Sequence, residues 1–508
     1  MATTLSRVHR VALLLLVSLS STPDKQTRSI LAGIDTEYGF TIEGRDVTTQ
    51  ADDSMAFVRH SPDEGLPMWD YQSENPRRDM RGFQVSHLTA DAQDAEFDRG
   101  RSRPPAAEER SDRALPSGAR FYNDHGHPEY ATPESWSLAD LVAHEQFGDQ
   151  VVLGAAKALS QKMNRKVQVY KNNTDFHGAS WGTHESYLTP RNHVFSDLAS
   201  AIIPILIARQ VLTGAGKVGS ESKGPVKFQI SQRADFFVES MNVETLSRRP
   251  VFNTRDEPHA DSSRWRRLHV ISGDSNMHPG CTRRKVGLVK LALILLNQDR
   301  VPKWEIPDPV TSFQLISRDA IGEGRVDLEA RSWTTPRQIL ESYCDAADRA
   351  EIADPEILEL LSETRTLLEA RHSNPDNYWP HVDWAAKLWL LNQFADSEGH
   401  WEQSAMQALD LQYHLLDQEE GLYYGLSNAG LLRGADVQPS SPLSPPNGSR
   451  AIARAVFIQN FPDQIETLSW GQVRLKSGKT ITLDPSLWYE QSLLDVESIE
   501  ELVQRLPQ

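Results

Sequence analysis

The stretch Gly33-Ile34-Asp35-Thr36-Glu37-Tyr38-Gly39 decides how this chain is read. Taken as a strand, it turns Asp35 and Glu37 to the same side, because side chains alternate with period two. The next segment of this kind is Arg120-Phe121-Tyr122-Asn123-Asp124, where Arg120, Tyr122 and Asp124 share a face and His127 and Glu129 follow within a turn. Carboxylates gathered on neighbouring strands repel unless something neutralises them, and oxygen-rich clusters suit a hard cation such as Mg²⁺. A solvated sheet face laced with ion pairs would present the same residues.

Further on, Lys171-Asn172-Asn173-Thr174-Asp175 and Gly178-Ala179-Ser180-Trp181-Gly182-Thr183-His184-Glu185 form a third cluster. Its small residues predict a tight loop with exposed backbone N–H groups, useful for phosphate, with His184 and Glu185 available to a metal. Arg233, in Ser231-Gln-Arg-Ala-Asp235, and Arg255, in Asn253-Thr-Arg-Asp-Glu-Pro-His259, each sit among hydrogen-bonding neighbours. Arginine's planar fork holds phosphate or carboxylate bidentately, and surface ion pairs are the plain alternative. His269 lies in an otherwise apolar strand, so it is either a packed core residue or a metal or phosphate contact. Together these features point to a site for Mg²⁺ and a nucleoside triphosphate, with Asp124 as base or nucleophile.

The 508 residues, at about 150 per domain, allow one to three domains with a large core. With 39% hydrophobic and 24% charged residues, the composition is globular and excludes a disordered or fibrous chain. A formal charge of -17 argues against a broad nucleic-acid-binding surface. Cys281 and Cys344 are too few for a disulfide scaffold, which favours a reduced, cytoplasmic protein. Against this, Arg7 to Ser20 carries the apolar run Val11–Val17 of a secretory signal, too short to span a membrane. A non-native N-terminal extension is the alternative.

From Ser29 short strands alternate with longer helices, the pattern of an α+β or α/β enzyme. A polar stretch from about 63 to 116 is far longer than a usual connection and reads as a mobile insertion. Residues 198–212 and 286–296 read as buried core helices, and Asp345–Ala370 and Val382–Ala395 as further helices. Residues 437–449 are rich in Pro and Ser and read as a linker to a small C-terminal domain, 450–508. Gly214-Ala-Gly-Lys-Val-Gly219 matches a dinucleotide fingerprint by letter, but it follows an apolar helix and reads as a helix C-cap and loop.

These motifs resemble, in order, those of the family of Pup ligases and Pup deamidases/depupylases, relatives of glutamine synthetase that act on the ubiquitin-like protein Pup. The resemblance runs from Gly33-Ile-Asp-Thr-Glu-Tyr-Gly through Arg120-Phe-Tyr-Asn-Asp, His127-Pro-Glu-Tyr-Ala-Thr132, Tyr170-Lys-Asn-Asn-Thr-Asp and Ser231-Gln-Arg-Ala-Asp to Arg266-Arg-Leu-His-Val-Ile, and covers most of the chain. It implies an α+β fold: a curved antiparallel sheet packed by helices over residues 29–436, its concave side holding the site, with the small C-terminal domain alongside. It implies ATP and Mg²⁺ as cofactors, and Pup and pupylated proteins as partners, linked to proteasomal degradation and without stable membrane association. Within the family, Trp69-Asp-Tyr71 and Arg78-Asp-Met-Arg-Gly-Phe83 are similar to a loop characteristic of depupylases, and Asp124-His-Gly-His-Pro-Glu129 lacks a residue that ligases tend to carry.

Position by position, the resemblance implies that Asp35, Tyr122 and Glu129 serve the metal and that Asp124 is the catalytic carboxylate. It gives Arg120, Thr132 and Trp470 to ATP, Arg233 and Arg255 to phosphates or the Pup carboxyl end, and His184 and His269 to a second metal position. The implied reaction is hydrolysis of the glutamine amide of Pup and of the Pup–lysine isopeptide bond. The alternatives are ligation through a glutamyl phosphate, or an inactive Pup-binding module. Two departures bear on this: Asp35 stands where the family usually has glutamate, and Ser186 where it usually has asparagine.

Overall fold

The computed structural model describes residues 30–62, 65–71, 74–88, 111–221, 226–435 and 444–507. The signal-like segment, residues 89–110 of the insertion and residues 437–443 of the linker lie outside the described residues.

The opening motif forms β1 (Ala32–Glu37), a middle strand of a six-stranded sheet. The other members are β2 (Arg113–Ala114), β3 (Arg120–Asp124), β4 (His127–Ala131), β5 (Thr183–Pro190) and β6 (Trp265–Gly273). Their order is β6-β5-β1-β4-β3-β2, with every neighbouring pair antiparallel. This is the expected α+β class with an antiparallel sheet.

Opposed residues of an antiparallel pair point to the same side, so the register sorts the sheet into two faces. Asp35 stands opposite Ala131 and His184, Glu37 opposite Glu129, Glu129 opposite Tyr122, and Ala131 opposite Arg120. Asp124 stands opposite His127, and His269 opposite Ser186. One polar face thus runs across five strands. The other face carries Ile34, Phe121, Tyr130, Tyr187, Leu268 and Val270, all buried. It packs into cores with residues of α1 (Leu138–Met163), α2 (Phe195–Ala208) and α3 (Pro279–Asn297). The apolar runs 198–212 and 286–296 fall in these buried helices or the turn after α2, as expected.

The single helix expected over Asp345–Ala370 is instead two, α4 (Pro336–Arg349) and α5 (Pro355–Ser373). Glu351 adopts a left-handed φ of 51° between them. The Asp354 side chain caps the Glu356 and Ile357 N–H groups, and Pro355 occupies a first helical position, where its missing N–H costs nothing. Gly214 closes the turn after α2, and Gly216 and Gly219 take positive φ, in keeping with the C-cap and loop reading.

The C-terminal unit comprises α6 (Ala451–Asn460) and a three-stranded antiparallel sheet of β7 (Ile465–Leu468), β8 (Gln472–Leu475) and β9 (Thr480–Thr482) around its own apolar core. Trp69, from the insertion, is part of that core. Backbone bonds from Leu468 N to Met68 O (2.8 Å) and Asp70 N to Leu468 O (2.7 Å) fasten it there. Met80 N donates to Thr254 O at 2.7 Å, anchoring a second part of the insertion beside Arg255. Among the described residues, no helix is long and apolar enough to cross a membrane.

Candidate active site

The connection between β3 and β4 is His125-Gly126, both with positive φ (45° and 85°). This is the mirror-image two-residue turn whose twist matches a hairpin, and it sets Asp124 directly opposite His127 at the hairpin's tip. Glu37, Asp124 and Glu129 each bring a carboxylate oxygen to within 4.8 Å of the others. Glu37 is held by the Gly182 N–H. Gly182 lacks a side chain for a reason: a Cβ there would lie 2.2 Å from His184 Nε2.

Burial and the Asp124 charge push the Glu37 carboxyl up to about 7, against the pull of the Gly182 N–H. Burial, with Asp124, Glu37 and Asp35, raises Glu129 well above its ordinary range, and the Tyr122 hydroxyl hydrogen-bonds it. Tyr122 itself is held protonated, mainly by burial and the Glu129 charge. Glu129 Oε2 is buried with no hydrogen-bond partner. Three crowded carboxylates with an orphaned oxygen are the donor set of a hard divalent cation.

Asp35 lies beside this trio. Burial raises its carboxyl to about 6, while Arg267 and Arg120 draw it down. His184 and His269 meet edge to face with ring centroids 5.2 Å apart. Burial is the main cause that lowers His184 to about 3 and His269 well below its usual range, so both are neutral imidazoles. The His269 Nδ1 is buried and unpartnered. Glu185 does not join His184. It points to the opposite face and pairs with Arg209 at 2.6 Å, because neighbouring residues of a strand cannot share a side.

Asp35, Glu37, Arg120, Tyr122, Asp124, Glu129, His184, Arg233, Arg255, His269 and Trp470 line one cavity of about 310 Å³. A smaller one of about 80 Å³ adjoins it, lined by Gly33, Thr132, Arg450 and Trp470 and sharing Asp35, His259, Arg267 and Trp470 with the first. Arg120 forms an ion pair with Asp112 at 2.6 Å, and its guanidinium lies 3.8 Å from the Tyr122 ring centroid and 4.5 Å from that of Trp69. Arg233 is buried and hydrogen-bonds the Ser180 hydroxyl and the Ile271 and Gly273 carbonyls. Burial, with Arg249 nearby, lowers it to about 10, against the pull of Glu37 and Asp274. Arg255 Nη2 donates to Thr245 Oγ1 at 3.2 Å, and its Nε is buried without a partner. The Thr132 hydroxyl accepts from Ile34 N at 3.0 Å.

Sequence reasoning placed Glu37 on the right face without giving it to the metal, and it passed over Arg249, Glu257, His259, Arg267 and Arg450. Arg267 was within reach: two residues before His269 on β6, it shares that residue's face.

The model of the family described as Pup-ligase protein matches residues 30–474. The chain belongs to that family. Among Pup-ligase relatives, it is 35% identical to a depupylase of Acidothermus cellulolyticus over 87% of this chain and 90% of that protein. It is 34% identical to a Pup deamidase/depupylase of Mycobacterium tuberculosis, over 86% and 90%. It is 36% identical to a Pup–protein ligase of Acidimicrobium ferrooxidans, over 75% of this chain and 88% of the ligase. A solved structure of the Pup ligase PafA in complex with Pup superposes with a TM-score of 0.73 at 25% identity, covering 95% of this chain and 92% of that one. PafA in complex with ADP gives 0.69 at 27%, covering 83% and 95%.

Proposed function

We propose that this protein is a Mg-ATP-dependent Pup deamidase/depupylase. It hydrolyses the C-terminal glutamine amide of Pup and the isopeptide bond between Pup and a substrate lysine, in the cytoplasm, alongside proteasomal degradation. The observation that favours hydrolysis over ligation is the reach of the sequence match: two depupylase relatives match 86–87% of the chain, and one ligase 75%.

In this reading Glu37 and Glu129, with Tyr122 hydrogen-bonded to Glu129, would hold Mg²⁺, with Asp35 in the same cavity. His184 and His269 stand by a second metal position. Thr132 and Trp470 hold the nucleotide from the smaller cavity and Arg120 from the adjoining larger one, and Arg233 and Arg255 take phosphate or the Pup carboxyl end. When bound, Mg-ATP supplies fixed charge that stabilises the oxyanion developing at the scissile carbonyl. Asp124 either attacks that carbonyl, the C–N bond breaking as the amine leaves with a proton from solvent and water then hydrolysing the acyl–Asp124 anhydride, or removes a proton from the attacking water. In the second case the proton passes from Asp124 to the departing ammonia or lysine amine, and the sum is one water consumed per C–N bond broken.

The test is to incubate the full chain with Mg-ATP and either glutamine-ended Pup or a Pup–lysine conjugate, and to follow products by mass. Ammonia or free substrate protein with intact Pup is the expected result. Attachment of glutamate-ended Pup to lysine with stoichiometric ADP would make the protein a ligase, and binding without turnover would make it a Pup-binding module.

A further inference from the structure

The seam between the body and the C-terminal unit holds a charge cluster that the chemistry above does not use. Glu134, two residues past Thr132, accepts from Arg450 Nε at 2.7 Å and from Arg454 Nη1 at 2.8 Å, with a further bond from Arg454 Nη2. Both arginines belong to the far side of the seam, Arg450 just before α6 and Arg454 within it. Each continues into the wall of the smaller cavity. Arg454 Nη1 donates to Trp470 O at 2.9 Å, and its guanidinium covers the Trp470 ring 5.0 Å from the centroid. Arg450 Nη1 donates to His259 O at 2.8 Å and to Leu483 O at 3.1 Å. Glu134, Arg450, His259 and Trp470 line that cavity together with Thr132.

Apolar residues would close such a seam at a lower desolvation cost than buried ions. What a carboxylate gripped by two planar forks adds is a fixed geometry. Burial would raise the Glu134 carboxyl, yet Arg454 and Arg450 hold it down at about 2, so the grip stays charged at any working pH.

We infer that Glu134 is a positioning residue for the nucleotide: by holding Arg450 and Arg454 across the seam, it sets Trp470 and Arg450 at a fixed distance from Thr132. This rests on the reading that the smaller cavity takes a nucleotide.

The experiment compares the full-length wild type with Glu134→Gln and Glu134→Asp. It measures ADP binding by calorimetry in Mg²⁺, together with kcat and with KM for ATP and for glutamine-ended Pup. Expected are ADP binding at least tenfold weaker in Glu134→Gln, a matching rise in KM for ATP, less than a twofold change in KM for Pup, and partial recovery in Glu134→Asp. A wild type that binds no ADP would sink the nucleotide reading itself. A wild type that binds ADP and a Glu134→Gln protein that binds it equally well would overturn the inference alone, as would an equal rise in both KM values. If Glu134→Gln does not fold, Arg454→Lys, which keeps the charge and loses the fork, is expected to show the same weakening, and unchanged ADP binding in it is equally fatal.

Discussion

Replacing Asp124 by Asn acts on two properties at once. Loss of the carboxylate proposed to react is expected to lower hydrolysis about a thousandfold or more, read as ammonia released from glutamine-ended Pup. Loss of one charge from the Glu37–Asp124–Glu129 cluster is expected to raise the melting temperature of the metal-free protein, because like charges at that spacing repel. Activity and stability moving in opposite directions separates catalysis from misfolding, and a lower melting temperature would show that the cluster is not strained. Glu37→Gln is expected to raise the Mg²⁺ needed for half-maximal activity at least tenfold. Asp35→Glu, outside the trio, should shift it little, and the reverse ranking would return the main metal contact to Asp35. At this scale alternation alone made much legible: it put Asp35 with Glu37, and Arg120 with Tyr122 and Asp124. The same alternation separates His184 from Glu185, which are neighbours on one strand and face opposite sides. Arg267 went unread because an arginine is an ordinary surface residue until the register shows what it faces.

The hairpin that carries Asp124 depends on its two left-handed residues. Gly126→Ala places a Cβ no closer than 3.5 Å to Gln50, so its cost is conformational, about 1 kcal/mol for a left-handed non-glycine residue. The expected outcome is a modest fall in melting temperature with a larger fall in kcat, as the hairpin shifts Asp124. Equal activity at full occupancy would mean that the turn serves stability alone. Short-range chemistry of this kind is legible in sequence, and so is the break between α4 and α5, where Asp354-Pro355 is a helix start signal. The docking of Trp69 and Met80 is not. Their partners, Leu468 and Thr254, lie far along the chain, and nothing local in a polar insertion announces them.

For the molecule as a whole, the raised carboxyls couple cation binding to pH. Asp35, at about 6, and Glu37, at about 7, bind protons more tightly folded than unfolded. The stability they contribute is complete below about pH 4 and is lost as pH rises through their folded values. The buried, neutral His184 and His269 act oppositely, their stability being lost as pH falls below their ordinary range, so the direction is read on the cation: millimolar Mg²⁺ is expected to raise the melting point of the metal-free protein more at pH 8 than at pH 5. Scanning fluorimetry in EDTA and in MgCl₂ reads this directly, and an equal Mg²⁺ shift at both pH values would argue that the cation binds elsewhere. The seam has a consequence in time. The chain begins its sheet with β1 and supplies Arg450, Arg454 and Trp470 only near its end, so during synthesis the acid cluster exists before the tryptophan wall does. Until Arg450 and Trp470 have been made, the smaller cavity lacks part of its wall, so by this reading a nascent chain has its carboxylates before it has a finished pocket beside them.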